Sequence, residues 1–270
     1  MDRPAWAPRS IDISVPSVAR MYDYYLGGSH NFEVDRQAAR RAMESIPGMP
    51  KIMQANRAFM RRAVRYAAGE GITQFLDIGS GIPTFGSVHE VARAAVPDAR
   101  VLYVDHDPVA VAHSEAVLAG DEGAGVLGAD LRDPRQILTS HLTERLIDLN
   151  RPVALLLVAI LHFVEDADDP YGAVAQLRDA LAPGSLLVVT HASYEGIPLP
   201  PERAGGAVGV YEDIRNPLIM RSRDDIARFF EGYDMVEPGL VPLGKWRPDT
   251  APEDEDPYAS SGYAGVGRTA

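Results

Sequence analysis

From residue 72 onward, short apolar runs alternate with longer amphipathic stretches. Runs at 72–79, 100–105, 124–130, 152–159 and 185–191 carry apolar residues on both faces, which predicts strands buried on both sides. Between them, 86–96 repeats apolar residues at helical spacing through Val88, Val91, Ala92 and Ala95. The stretch 108–120 opens on Pro108 and stops at Gly120, as a helix does. Helices are also expected over 134–149 and over 170–184, where Val174, Leu177 and Leu181 share a face.

Doubly buried strands separated by helices make a parallel sheet covered on both sides, a doubly wound α/β fold. Ligands of such sheets bind beyond the carboxyl ends of the strands, so the loops after strands are the ones to inspect. Two regions break the alternation. Residues 1–71 read as a helical extension, with two helical stretches in 17–48 parted by Gly27-Gly28 and an amphipathic helix over 57–69. Residues 72–270 then form the main domain. Within it, 195–217 is rich in Pro and Gly and reads as a long loop or lid. A helix capped by Ser222 spans 222–232, and 234–246 and 262–270 read as two final strands able to pair antiparallel at the sheet's end.

The chain has 270 residues, 46% of them apolar, enough for a large core. Having no cysteine, it has neither disulfides, zinc thiolates nor a cysteine nucleophile. Its net charge of −12 disfavours nucleic acid as a partner, and the acidic run 253–258 reads as a solvated loop. No apolar run approaches a membrane span, and residues 1–10 lack a signal-peptide layout, so a soluble, cytoplasmic protein is expected.

Chemistry concentrates at three strand ends. Asp77 precedes a turn containing Gly79, Ser80 and Gly81, whose glycines admit a sharp bend and the approach of a ligand to bare backbone. Asp105 ends the second strand, where a carboxylate can take both hydroxyls of a ribose. Asp130 ends the third, where an acid can accept from an adenine amino group. Asp107 and Asp133 each precede a proline and read as helix caps. Acids this close to a glycine turn would repel a pyrophosphate; they suit a nucleoside bearing a cationic amino-acid tail, of which S-adenosylmethionine is one.

The segments "FLDIGSGIPT", "VLYVDHDP", "GADLRDP" and "LAPGSLLVVTHAS" resemble the successive motifs of class I S-adenosylmethionine-dependent methyltransferases. More narrowly, "VARMYDYYLGGSHNFEVDR", "NRAFMRRAV" and "PVALLLVAILHFV" resemble an actinobacterial methyltransferase family long known as a domain of unknown function. The resemblance runs from about Ser17 to Arg268, departing at Pro83, where many methyltransferases have a third glycine. It implies a seven-stranded sheet with an antiparallel last strand. It also implies that Asp77, Gly79 and Gly81 line the methionine end, that Asp105 binds the ribose and His106 flanks the adenine, that Asp130 and the Leu131 backbone hold the adenine edge, and that Ala159 lies near the sulfonium.

Tyr22, Tyr24, Tyr25 and Phe32 crowd the N-terminal segment. Tyrosine faces attract a cation such as a sulfonium, and Gly27-Gly28 would let the segment fold over the cofactor, with Asn31 a polar contact; alternatively the tyrosines only pack the extension on the sheet. Arg57 can face the cofactor carboxylate or be a solvated helix charge. Methyl transfer needs alignment more than acid–base groups; of the two histidines near the active face, His162 and His191, the first is the candidate base. "AILHFV" stands where nucleic-acid and protein amide methyltransferases carry an "NPPY"-like motif, which together with the charge points to a small-molecule acceptor. A non-catalytic S-adenosylmethionine-binding or sensing protein is the alternative, and an NAD-dependent oxidoreductase a weaker one that leaves Asp77 and Asp130 unexplained.

Overall fold

A computed structural model describes residues 12–83, 86–214, 217–249 and 256–270. The N-terminal decapeptide and the first half of the acidic run 253–258 lie outside the described residues. Eighteen elements follow in order: α1 (Val18–Tyr25), α2 (Glu33–Ser45), α3 (Met49–Gly69), β1 (Gln74–Ile78), α4 (Val88–Ala95), β2 (Arg100–Asp105), α5 (Pro108–Val117), β3 (Ala124–Gly128), α6 (Pro134–Leu138), α7 (His141–Leu146), β4 (Ala154–Val158), α8 (Pro170–Asp179), β5 (Leu186–His191), α9 (Pro201–Asp213), α10 (Arg223–Ala227), β6 (Tyr233–Met235), β7 (Val241–Pro242) and β8 (Tyr263–Thr269).

The strands form one sheet in the order β3-β2-β1-β4-β5-β8-β6. The first five are parallel, whereas β8 runs antiparallel to both β5 and β6, so the expected architecture holds. The two-residue β7 is an addition to the seven, pairing with β8 beside β6. Register fixes the two faces. Phe75, Val101, Leu156 and Val188 point toward α3 and α4 and share a core with Phe59, Met60, Ala63 and Val64 of α3. Leu76, Leu102, Leu155 and Leu187 point the other way, against Ile137, Leu146, Leu177 and Phe229. The side-chain period of two therefore places Asp77 on the face that α3 covers.

Aspartate-proline pairs start three of the helices, α5, α6 and α8. The Asp107 carboxylate accepts from the Val109 and Ala110 amides, Asp133 from Gln136 and Asp169 from Gly172, each with proline in the first turn. Asp107 and Asp133 are thus caps, as their sequence context indicates.

Four elements differ from the pattern. The helix read over 57–69 begins eight residues earlier, at Met49, with Pro50 in its first turn. The helix expected over 134–149 is two, because Ser140 ends the first and caps the second through the Thr143 amide. The final strand expected over 234–246 is broken into β6 and β7 around Pro238 and Gly239. The supposed loop 195–217 contains α9, a 13-residue helix. Ala207, Val210, Tyr211 and Ile214 recur at helical spacing and are buried against α1 and α2. Its Gly206 marks close helix approach, since a Cβ there would come 2.4 Å from Ser45 Oγ of α2. Among the described residues no helix is long and apolar enough to cross a membrane.

Candidate functional site

The turn after β1 is held by β2. Gly79, at φ +75°, donates its N–H to the Val104 carbonyl at 2.8 Å, and a Cβ on it would strike the Ile160 side chain. Gly81, at φ +66°, donates to Asp105 Oδ2 at 2.7 Å, while Asp105 Oδ1 accepts from the Asp107 amide at 2.8 Å. Only glycine adopts such angles without strain. Asp105 is buried, and burial raises its pKa against the lowering effect of those two amide bonds. The Asp77 carboxyl is pushed up to about 7, chiefly by burial; Arg57 opposes the shift and the like charge of Asp105 adds to it.

These residues line a cleft of about 1020 Å³, its open mouth included. Its floor is the ends of β1, β2 and β4, with Asp77, Gly79, Ser80, Gly81, Asp105, His106 and Ala159; its roof is α1 and α3, with Tyr22, Asn56 and Arg57. Ser80 Oγ is buried there with no partner among the described residues. A groove continuing past His106 brings in Asp130 and Leu131 and shares Gly79, Asp105, Ile160 and Phe163 with the cleft. His106 is exposed, with Nδ1 4.0 Å from Asp105 Oδ1. The Asp130 carboxylate accepts from Arg132 Nε at 3.0 Å and Nη2 at 2.6 Å, bonds that hold its pKa below the usual range.

A second cleft, of about 750 Å³ with its opening, lies beside the first. Val18, Tyr22, Asn56, Ala159 and Phe163 line both and form the wall between them. That wall is wired together. The Ala159 N–H donates to Thr190 Oγ1 (2.8 Å), Thr190 donates to Asn56 Oδ1 (2.7 Å), and Asn56 Nδ2 donates to the Tyr22 hydroxyl (2.8 Å). Ala159 itself sits at φ +59°, a costly conformation for an alanine, kept by these bonds at the tip of β4.

Tyr25 lines the second cleft rather than the first, its hydroxyl 3.2 Å from that of Tyr211 on α9. Burial pushes Tyr211 up to about 12 and holds the Tyr25 proton still more firmly, so both hydroxyls are neutral at physiological pH. Gly27 and Gly28 line neither cleft. They close a turn in which a Cβ on Gly28 would overlap the Asp23 carboxylate, and that buried carboxylate accepts from the His30 amide and from Asn31 Nδ2, each at 2.8 Å. Asn31 accordingly braces the turn, not a cleft.

Both histidines are neutral. His191 donates Nδ1–H to the Ala192 carbonyl and accepts from Arg221 on Nε2, leaving no atom to spare; burial brings its pKa to about 3. His162 Nδ1 accepts from the Ala192 amide at 3.2 Å, so its proton is on Nε2. The sequence reading of His162 as a base asks for a lone pair where this arrangement puts a hydrogen. Burial, then His191 and Arg221, carry its pKa well below the usual value.

Several of the residues that join the clefts escaped the sequence reading. Thr190 is the one hydroxyl in the apolar run of β5, and Asn56 a polar residue on the buried face of α3; those interruptions are the signals that could have found them. Tyr211 was hidden in the glycine-rich stretch.

The profile of the S-adenosyl methyltransferase family matches residues 4–270. A proposed methyltransferase of Thermobifida fusca, solved by crystallography, is 41% identical over 98% of this chain and 99% of its own, with a TM-score of 0.91. A DUF574 family protein of Streptomyces avermitilis is 37% identical over 96% and 99%, also at 0.91. The plantazolicin methyltransferase BpumL, solved with a triazolic desmethylPZN analog and S-adenosylhomocysteine (SAH), shares the fold at 12% identity and a TM-score of 0.52, over 93% and 96%. No curated protein matches the chain. With its sequence matched almost end to end and Asp77, Asp105 and the glycine turn lining one cleft, the chain belongs to the S-adenosyl methyltransferase family and is an S-adenosylmethionine-dependent methyltransferase.

Proposed function

We propose that this enzyme methylates a small-molecule acceptor held in the second cleft. The observation that carries the reading is the shared lining of Val18, Tyr22, Asn56, Ala159 and Phe163, which sets the two clefts edge to edge. The first cleft fits the methyl donor: its buried acid, unpartnered Ser80 hydroxyl and bare glycine backbone are the groups an adenosyl amino acid needs. In this reading Asp77 faces the ammonium and Arg57 the carboxylate, with Gly79, Ser80 and Gly81 alongside. Asp105 takes the ribose hydroxyls, His106 flanks the adenine, and Asp130 with the Leu131 backbone holds the adenine edge. Ala159 offers backbone near the sulfonium, and Tyr22, which lines the cleft, offers it an aromatic face. Tyr25, Gly27 and Gly28 support this cover from behind.

When bound, S-adenosylmethionine supplies a methyl carbon already activated by positive sulfur. The chain's contribution is alignment and exclusion of water, effects that reach ~7–11 kcal/mol. The buried wall and its hydrogen-bond chain hold the two clefts in fixed relation. Titration calorimetry with SAH and with NAD tests the donor site. SAH binding that falls at least about tenfold in Asp105→Ala is expected. Unchanged affinity overturns the ribose role, and NAD binding without SAH binding overturns the whole reading.

A further inference from the structure

Among the described residues lining the second cleft there is no aspartate, glutamate, lysine or arginine. Its walls are Ile46, Met49, Ile52 and Met53 from the N-terminal helices and Leu218 and Met220 beyond α9. Its polar lining is uncharged and mostly bonded within the protein, Tyr22, Asn56 and Thr190 to one another and His191 to Ala192 and Arg221, which leaves the Tyr25–Tyr211 hydroxyl pair, His162 and the Ser261 hydroxyl, buried with no partner among the described residues. His162 is 8% exposed. Its Nδ1 is committed to the Ala192 amide, while among the described residues no group bonds its Nε2, and the ring lines the cleft. An N–H held this way is a donor awaiting an acceptor oxygen.

We infer that the second cleft selects an uncharged, largely apolar ring compound bearing an oxygen, and that His162 positions it by donating Nε2–H to that oxygen. The inference rests on the proposed function, which makes this cleft the acceptor site. Two physical arguments support it. A charge carried into this lining would lose its hydration with no counter-ion to replace it, so acids and amines are rejected. An apolar ring gains by burial against the Met and Ile side chains, and the oxygen is oriented because only a few polar tips await it. The Tyr25–Tyr211 pair adds adaptability, since either hydroxyl can be the donor to the other, freeing one hydrogen for the ligand.

The test uses the full chain loaded with SAH, whose own affinity is measured first. Three probes of one ring system are titrated by calorimetry: 2-naphthol, 2-naphthoate and 2-(aminomethyl)naphthalene, with naphthalene as the oxygen-free control. The expected result is that 2-naphthol binds at least about tenfold more tightly than either charged analogue. His162→Phe is expected to weaken 2-naphthol about three- to tenfold and to leave naphthalene unchanged. His162→Asn, whose amide can both accept and donate, restores most of the loss. A merely structural role for His162 would weaken naphthol and naphthalene alike. Equal or tighter binding of a charged analogue overturns the inference, as does naphthol affinity untouched in His162→Phe, or no naphthol binding at about 1 mM while SAH still binds. Failure of SAH itself to bind the unaltered enzyme would strike the methyltransferase reading instead.

Discussion

Asp77 is a carboxylate kept where it is uncomfortable. Burial raises its pKa to about 7, so in the free enzyme near neutrality half of it carries a proton. An ammonium can pair only with the ionised form. Because the folded pKa lies above that of an ordinary carboxylate, proton release must precede pairing at any pH below about 7, and the requirement vanishes above it. SAH affinity is therefore expected to fall about tenfold per pH unit as pH drops below about 7 and to be level between about 7.5 and 8.5. Calorimetry across that range checks it. Asp77→Asn should flatten the profile and weaken binding at pH 8 by about tenfold or more; a variant retaining the slope would mean that another group titrates. The neighbouring glycines were legible in the sequence for a reason equally local. Gly79 and Gly81 occupy left-handed angles, and Gly79 also abuts Ile160, so no side chain fits. The tautomer of His162 was not legible, because it is set by the Ala192 amide just past β5, thirty residues away in the chain.

Helix α9 shows how composition can disguise an element. Pro200, Pro201, Gly205, Gly206 and Gly209 suggest a loop, yet the prolines precede or open the helix and the glycines sit along it. What the pattern did carry was the spacing of Ala207, Val210, Tyr211 and Ile214, all buried. The glycines differ among themselves. At Gly209 nothing lies within 4 Å of an added Cβ, so Gly209→Ala should stabilise the protein by about 0.5–1 kcal/mol through helix propensity. At Gly206 the Cβ would displace the Ser45 hydroxyl and crowd its Cβ at 3.2 Å, so Gly206→Ala should be less stable than Gly209→Ala by about 1 kcal/mol despite the same propensity gain. Chemical denaturation of the two variants checks the order; equal effects would show that α9 and α2 do not approach as closely as 206 implies. The five parallel strands, by contrast, were read to within two residues at each end. Each lies in the apolar layer between two layers of helix, and that environment leaves apolar residues on both faces.

Across the molecule, the methyl-donor cleft is the meeting place of parts distant in sequence. α1 and α3 roof it, and the tips of β1, β2 and β4 floor it. α1 is tied to the far wall through the Ser17 hydroxyl, which bonds the Asp107 carboxylate at the start of α5, and through its amide to Asp35 on α2. Asp35 in turn pairs with Arg20 and accepts from the Phe32 amide. The extension before residue 72 was recognisable as helical; that α3 is also a layer of the main core, sharing one cluster with six strands, follows only from three-dimensional packing. Since unfolding must scatter every wall of the cleft, a ligand that bridges them acts on global stability. SAH at a hundred times its dissociation constant should add about 2.7 kcal/mol. For a chain of this size that corresponds to a rise in melting temperature of roughly 5–10 °C. Differential scanning calorimetry checks the shift, which should grow with the logarithm of SAH concentration as one cooperative transition. A melt that splits, with only one part moved by SAH, would show that the N-terminal helices unfold apart from the sheet and that the roof contributes little to holding the ligand.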